Sequence, residues 1–350
     1  MQNMKSSAWR SFGKDILGIG LLLVFLLLFM MNDRLNDSER LNNLPDSIIN
    51  VNTIFLSIVI EAIPFILLGV FISSLIQIYV SEDTIQRFLP KNAIAALFPA
   101  AMLGAILPLC ECAIVPVVRR LIKKGMPLHV GVVFMVGAPI LNPVVAASTY
   151  FAFSGQPTNI ILYSRMGLAF VLSILIGLIL YSIFKNKTNQ LRNDVTSPAA
   201  SHSHHHHPPE NAGFFGQVRN TFYHAVDEFF MMGKYLILGA FVAALFQTFL
   251  DRSVLEAVGT NMYSSTLVMM VFAYLLSLCS EADAFVASSF GNQFTDMSLT
   301  AFLVYGPMLD LKNTFMLFAF FKARFVIVFM ITVTLVVFTA VMLLFGVILQ

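Results

Sequence analysis

Charge is scarce in this 350-residue chain: Asp, Glu, Lys and Arg make up 11% of it, where soluble proteins carry about 25%. That scarcity excludes the string of soluble domains that the length alone would allow. The formal net charge of +2 excludes a nucleic-acid-binding protein, which needs a concentrated basic footprint. Cysteine is rarer still. Three cysteines, all inside apolar runs, cannot build a disulfide framework. A phosphate-cradling Gly-rich loop and a nucleophile–base–orienter set are also missing, so neither an ATPase nor a hydrolase is indicated and no enzyme is expected. What fills the chain is apolar: 58% of the residues, with 34 Phe and 18 Met, in runs that no soluble core could bury on every face. The composition is that of an all-α polytopic membrane protein, with the lipid bilayer as its first partner.

A span needs about 20 predominantly apolar residues. The first run, 16–31, follows Lys5, Arg10 and Lys14 as the core of a signal peptide would. Met31-Asn32-Asp33-Arg34 offers no small-residue cleavage pattern after it. Residues 1–52 are therefore expected to form a retained anchor helix and an external loop. Further apolar segments lie near 53–79, 93–118, 128–153, 160–184, 233–250, 264–290, 299–321 and 325–348. Two of them are odd. The 93–118 segment carries Pro108, Cys110, Glu111, Cys112 and Pro116, and the 264–290 segment carries Cys279, Glu281 and Asp283. Proline removes a backbone donor, and a carboxylate at membrane depth is costly unless it faces protein or water. Such segments suit broken or re-entrant helices buried in protein.

Basic residues fix the expected orientation. If the amino terminus is cytoplasmic and both odd segments return to the side they entered, Lys5, Arg10, Lys14, Arg87, Lys91, Arg119, Arg120, Lys123, Lys124, Lys185, Lys187, Arg192, Arg219, Lys234, Lys322 and Arg324 are all cytoplasmic. Arg34, Arg40, Arg165 and Arg252 are left outside, with Lys312 inside a span. This is the bias of the positive-inside rule. The expectation is seven crossings plus two re-entrant hairpins in a bacterial cytoplasmic membrane; nine full crossings is the alternative.

The chain also repeats itself. Leu107-Pro108-Leu109-Cys110-Glu111-Cys112-Ala113 aligns with Leu276-Ser277-Leu278-Cys279-Ser280-Glu281-Ala282 at an offset of 169 residues. Residues 134–142 align with 302–310 at an offset of 168, placing Pro139 on Pro307 and Asn142 on Asp310. Two matches in one order at nearly one offset point to an internal repeat. In the expected topology the halves enter from opposite sides, giving two inverted repeats, 53–184 and 231–350, joined by a cytoplasmic linker, 185–230. Secondary transporters built this way bind substrate where broken helices meet near the midplane.

Four motifs carry a resemblance: Leu109-Cys110-Glu111-Cys112-Ala113, Gly137-Ala138-Pro139-Ile140-Leu141-Asn142-Pro143, Cys279-Ser280-Glu281-Ala282-Asp283-Ala284 and Gly306-Pro307-Met308-Leu309-Asp310-Leu311-Lys312-Asn313. At these, over roughly residues 53–350, the chain resembles the bacterial family of predicted permeases that contains the organoarsenical exporters. The resemblance implies a cytoplasmic-membrane permease, and some similar members are encoded beside a smaller membrane protein thought to complete a two-component complex. For exporters of trivalent organoarsenicals it implies metalloid-binding thiols at Cys110 and Cys112, with Cys279. The first motif departs from the family's usual Cys-Ser-Cys by placing Glu111 in the middle.

Read from the residues alone, the candidates for substrate contact or coupling are Cys110, Glu111, Cys112, Asn142, Cys279, Glu281, Asp283, Asp310 and Lys312. Thiolates favour Cu(I), Zn or a thiophilic metalloid, though a free Cys is often a small buried hydrophobe. Carboxylates in an apolar setting line a path or pair with one another. Asp310 has a plainer reading as a partner of Lys312 or a helix cap. The linker holds His202, His204, His205, His206 and His207, a tract suited to transient Zn, Ni, Co or Cu binding or to a polar spacer. No resident cofactor is expected. The leading function is permeation of a small solute or a metal or metalloid species, coupled to a gradient or facilitated. Organoarsenical efflux, a transition-metal transporter component and a non-transporting scaffold or sensor are the alternatives.

Overall fold

The computed structural model of the chain describes residues 46–79, 94–106, 110–154, 159–185, 190–191, 214–249, 262–291 and 293–348. The expected anchor run and the five linker histidines lie outside these residues. Among the described residues twelve helices fall into two runs of six. The first run is α1 (Asp46–Tyr79), α2 (Leu97–Ile106), α3 (Glu111–Lys123), α4 (Leu128–Leu141), α5 (Pro143–Ala152) and α6 (Ile160–Phe184). The second is α7 (Phe214–Phe249), α8 (Met262–Leu276), α9 (Asp283–Ser289), α10 (Asp296–Met308), α11 (Leu311–Phe320) and α12 (Ala323–Leu343), which ends in a π turn, Leu344–Ile348. Among the described residues the only β pairing is an isolated bridge between Leu191 and Phe321.

Both odd segments are broken. The 93–118 segment divides into α2 and α3, with Cys110 extended at φ −75° and ψ 168°, and the 264–290 segment divides into α8 and α9. Two other apolar segments also break, at Asn142 and at Leu309–Asp310, for a local reason. Pro139 and Pro307 each remove one donor from the end of a helix. Asn142 also precedes Pro143, which steers it out of the helical region to φ −70°, ψ 150°. Helix α7 starts at Phe214, so the helical structure reaches well into the stretch expected to be linker.

Among the described residues five stretches are long and apolar enough to cross a bilayer: Ser47–Ile76, Leu128–Ala152, Ile160–Phe184, Glu228–Phe249 and Ala323–Gly346. Their outward faces are as apolar as their inward ones. Phe71, Tyr163, Val171 and Leu335 are exposed, while Glu111, Arg165, Asp283, Asp310 and Lys312 are buried. Helices apolar all round with charge at the centre are arranged for lipid, the reverse of a soluble protein.

Helix α1 lies along α7; α4 packs between α2 and α6, and α10 packs against α8, α12, α4 and α6. Without a hydrophobic force between helices in lipid, close packing and internal polar contacts hold such a bundle. Glycines set the closest crossings. A Cβ on Gly69 of α1 would lie 2.6 Å from Ala113 Cα of α3, and one on Gly239 of α7 would lie 2.8 Å from Lys312 Cα of α11. In the first half Gly104 of α2 meets Ala138 of α4; in the second, Ala273 of α8 meets Gly306 of α10. The small residue has changed sides while the crossing has stayed.

Candidate functional site

The site begins with two helix caps. Asn142 Oδ1 accepts from Val145 N at 2.9 Å at the start of α5. Asp310 Oδ1 accepts from Asn313 N at the start of α11. Each cap satisfies a backbone donor that the break leaves without a partner. The two breaks differ at the next residue. Pro143 has no N–H to satisfy, whereas Leu311 has one, and Ser277 Oγ accepts it at 3.1 Å. Ser277 ends α8 with φ 48°, a left-handed conformation uncommon for a residue with a side chain. That geometry turns its carbonyl toward Lys312, whose Nζ donates to it at 2.7 Å.

Lys312 is the hub of the first cluster. Its Nζ lies 2.9 Å from Glu111 Oε1 and 3.5 Å from Asp310 Oδ2. The Asp310–Lys312 pair suggested by the sequence is present, and Glu111, from the tip of α3, is the nearer partner. Glu111 is 1% exposed and Lys312 4% exposed. Cys112 and Cys279 also lie within electrostatic range of the ammonium. All three thiols are free and buried.

A second cluster forms around Arg165, which is fully buried on α6. The charge count expects Arg165 on the outer side of the membrane; its side chain lies inside the bundle. It sits within α6, where its guanidinium donates to Thr149 Oγ1 of α5 at 2.8 Å and to the Ser280 carbonyl at 3.0 Å. Asp283 Oδ2, at the start of α9, lies 3.9 Å from Arg165 Nη2. A planar, permanently charged fork suits such a buried clamp. Arg165 therefore ties α5 and α6 to the tip before α9, as Lys312 ties α11 to the tip of α3. The clusters are neighbours, since Glu111, Lys312 and Asp310 all contribute to the field at Asp283.

Glu281 is placed differently from Glu111. It is only half-buried and accepts from Cys279 Sγ at 2.8 Å, whereas Glu111 faces an ammonium. Aligning 107–113 with 276–282 pairs Glu111 with Ser280 and Cys112 with Glu281, so the two glutamates do not align with each other. Among the described residues no group of three or more His, Cys, Asp and Glu side chains is arranged to hold a metal ion.

The far end of α3 carries a third cluster that sequence reasoning missed. Glu228 of α7, 4% exposed, lies 3.2 Å from Arg120 Nη2 and 3.9 Å from Arg119 Nη1, and Ser73 Oγ of α1 donates to it at 2.9 Å. The Arg119 guanidinium stands over the Phe320 ring of α11, 4.6 Å from its centroid. Helices α3 and α11 thus start together at Glu111 and Lys312 and end together at Arg119 and Phe320. The sequence signal for Glu228 was present: a carboxylate directly before the apolar run Phe229-Phe230-Met231-Met232.

Known proteins resemble this chain along most of its length. The family model described as a predicted permease matches residues 47–346. The UPF0718 protein YcgR of Bacillus subtilis (strain 168) is 50% identical over 280 residues, 80% of this chain and 92% of that protein. A protein of Streptococcus mutans serotype c (strain ATCC 700610 / UA159), whose name describes a two-component membrane permease complex subunit, is 38% identical over 296 residues, 85% of this chain and 95% of its own length. No solved structure matches the chain. All three charged clusters and every broken helix lie within the matched region, and the chain belongs to the predicted permease family, as a multi-pass bacterial membrane protein that moves a small solute or ion and is a transporter rather than an enzyme.

Proposed function

We propose that cargo passes through the level at which α3, α9 and α11 begin, between two inverted repeats that alternate access to it. The carrying observation is the pair of buried charged holds, Lys312 on Glu111 and Arg165 on Asp283. Ionised groups inside a membrane bundle line a path or couple to one. The shared order of elements, the matched caps at Asn142 and Asp310, and the close crossings of Gly69 and Gly239 support the repeat. The α2–α3 and α8–α9 segments are the re-entrant hairpins of this reading, with repeats at 53–184 and 231–350 and a linker between them.

The end of the bundle that holds Arg119, Arg120 and Lys322 faces the cytoplasm in this reading, as does the amino terminus. Its support is that Arg119 reaches Phe320 and that Lys322 N donates to the Gln190 carbonyl at 2.9 Å, which gathers basic residues from two segments at one end. Single cysteines placed at 119–124 on a cysteine-free background should resist a membrane-impermeant thiol reagent added outside intact cells. Strong external labelling there would overturn the orientation and the re-entrant hairpin together.

The cargo of this reading is a small cation or a thiophilic metal or metalloid species. Three free thiols, Cys110, Cys112 and Cys279, surround an acidic centre, which is the observation that favours the thiophile and keeps organoarsenical efflux as the second reading. The name of the Streptococcus mutans relative supports a second membrane subunit as partner. The experiment is transport by the purified protein in liposomes, read by elemental mass spectrometry after a panel screen in cells lacking and overproducing it. Glu111→Gln should reach normal abundance, because Lys312 keeps Asp310 and the Ser277 carbonyl, yet lose transport. Wild-type transport by both Glu111→Gln and Glu281→Gln would make the acids architectural.

A further inference from the structure

The ammonium of Lys312 is held as an inorganic cation would be. Three oxygens from three chain segments surround it: Glu111 Oε1 at 2.9 Å, the Ser277 carbonyl at 2.7 Å and Asp310 Oδ2 at 3.5 Å. Carboxylate and carbonyl oxygens are the donors that hard cations take. The seat is also incompletely satisfied. Glu111 Oε1 and Asp310 Oδ2 meet only the ammonium, Glu111 Oε2 accepts no hydrogen bond, and Asn313 Oδ1, 4% exposed, has no donor either. With two carboxylates and one ammonium, the seat has capacity for more positive charge than Lys312 brings.

A second carboxylate stands just beyond the turn that holds Ser277: Asp283, 3% exposed, at the start of α9. Its Oδ2 is buried without a hydrogen bond, as is the neighbouring Ser280 Oγ, and Arg165 approaches that oxygen only to 3.9 Å. The two cations of the centre are chemically unlike. The Arg165 guanidinium is fixed by two hydrogen bonds to Thr149 and Ser280, whereas Lys312 carries its charge on a flexible four-carbon stem.

We propose that Lys312 is a tethered counter-ion in a seat for one alkali-metal cation, and that the ammonium and the free cation occupy this seat in turn. When the cation binds to Glu111, Asp310 and the Ser277 carbonyl, the ammonium moves toward Asp283; when the cation leaves, the ammonium returns. The exchange keeps the charge of the seat constant, so neither state leaves the carboxylates bare. This deepens the transport reading, on which it rests, by assigning that site a coupling ion.

The test is the full-length Lys312→Met protein, melted in detergent in NaCl, KCl or N-methyl-D-glucamine chloride at equal ionic strength. With the tether gone, the seat should take its cation from solution. The melting temperature should rise by about 4 °C or more in Na⁺ or K⁺ over the bulky organic cation. The variant Lys312→Met/Glu111→Gln/Asp310→Asn, which lacks the charges of the seat, should melt alike in all three salts. If Lys312→Met fails to accumulate, Lys312→Met/Glu111→Gln retains one carboxylate for one cation and carries the same expectation. Identical melting of the folded variant in all three salts would overturn the proposal, as would equal salt dependence in the variant without a seat. The readout needs no cargo, so this result and a failure of the transport test remain distinguishable.

Discussion

Arg165→Met should be among the most damaging single substitutions in the chain, costing about 3–5 kcal/mol, because it strands a buried carboxylate. Asp283, 3% exposed, would lose its cationic neighbour, and the Ser280 carbonyl and Thr149 hydroxyl would lose their donors. The expected readout is a large drop in membrane abundance and in detergent melting temperature. Adding Asp283→Asn should recover part of the loss by removing the orphaned charge, and the double-mutant cycle would give the size of the coupling. Arg165→Lys should fall between, since one ammonium cannot serve Thr149, Ser280 and Asp283 as a planar fork does. Wild-type abundance and melting of Arg165→Met would show that the guanidinium holds nothing together.

Gly69→Ala should cost about 1–3 kcal/mol through overpacking, and Gly239→Ala about the same. Each added methyl would meet backbone rather than a flexible side chain: Ala113 Cα at 2.6 Å in one case and Lys312 Cα at 2.8 Å in the other. Backbone can yield only by moving α3 or α11, the helices that present Glu111 and Lys312. Transport should therefore fall further than stability does. Gly167→Ala is the control, because a Cβ there meets nothing within 4 Å and alanine favours the helix by up to about 1 kcal/mol. Equal behaviour of Gly69→Ala and Gly167→Ala in melting and in transport would remove the close-crossing argument.

The all-helical, many-span character was legible because 58% apolar composition leaves few alternatives for a chain of this length. The helix breaks were legible for chemical reasons. Pro139 and Asn142-Pro143 are local signals, and their echo at Pro307 and Asp310 followed from the repeat. Partners across the bundle were not legible. Arg165 donates to Ser280, 115 residues away in sequence, and Arg120 reaches Glu228 at a separation of 108. Near the start of an apolar run, an arginine reads equally well as an interfacial anchor, and only the arrival of α5 and α9 makes it a clamp. Ser277 was hidden for another reason. It aligns with Pro108, and a serine facing a proline looks like a lost motif rather than a gained hydrogen bond. The different settings of the two glutamates were not legible either, since Glu111 meets the Lys312 ammonium and Glu281 accepts from Cys279.

The unequal helix breaks bear on how the protein is made. The break at Asn142 is self-contained, with the cap, the proline and the capped donor all between 139 and 145. It can take shape as soon as that stretch leaves the ribosome, whatever else is present. The break at Asp310 is not self-contained, because the Leu311 amide and the Lys312 ammonium both rely on Ser277. Synthesis runs from the amino terminus, so Ser277 has already emerged when Leu311 appears. The dependence points back toward finished chain and never waits on chain still to come. The break that comes first in the chain manages alone, while the one that follows leans on what precedes it.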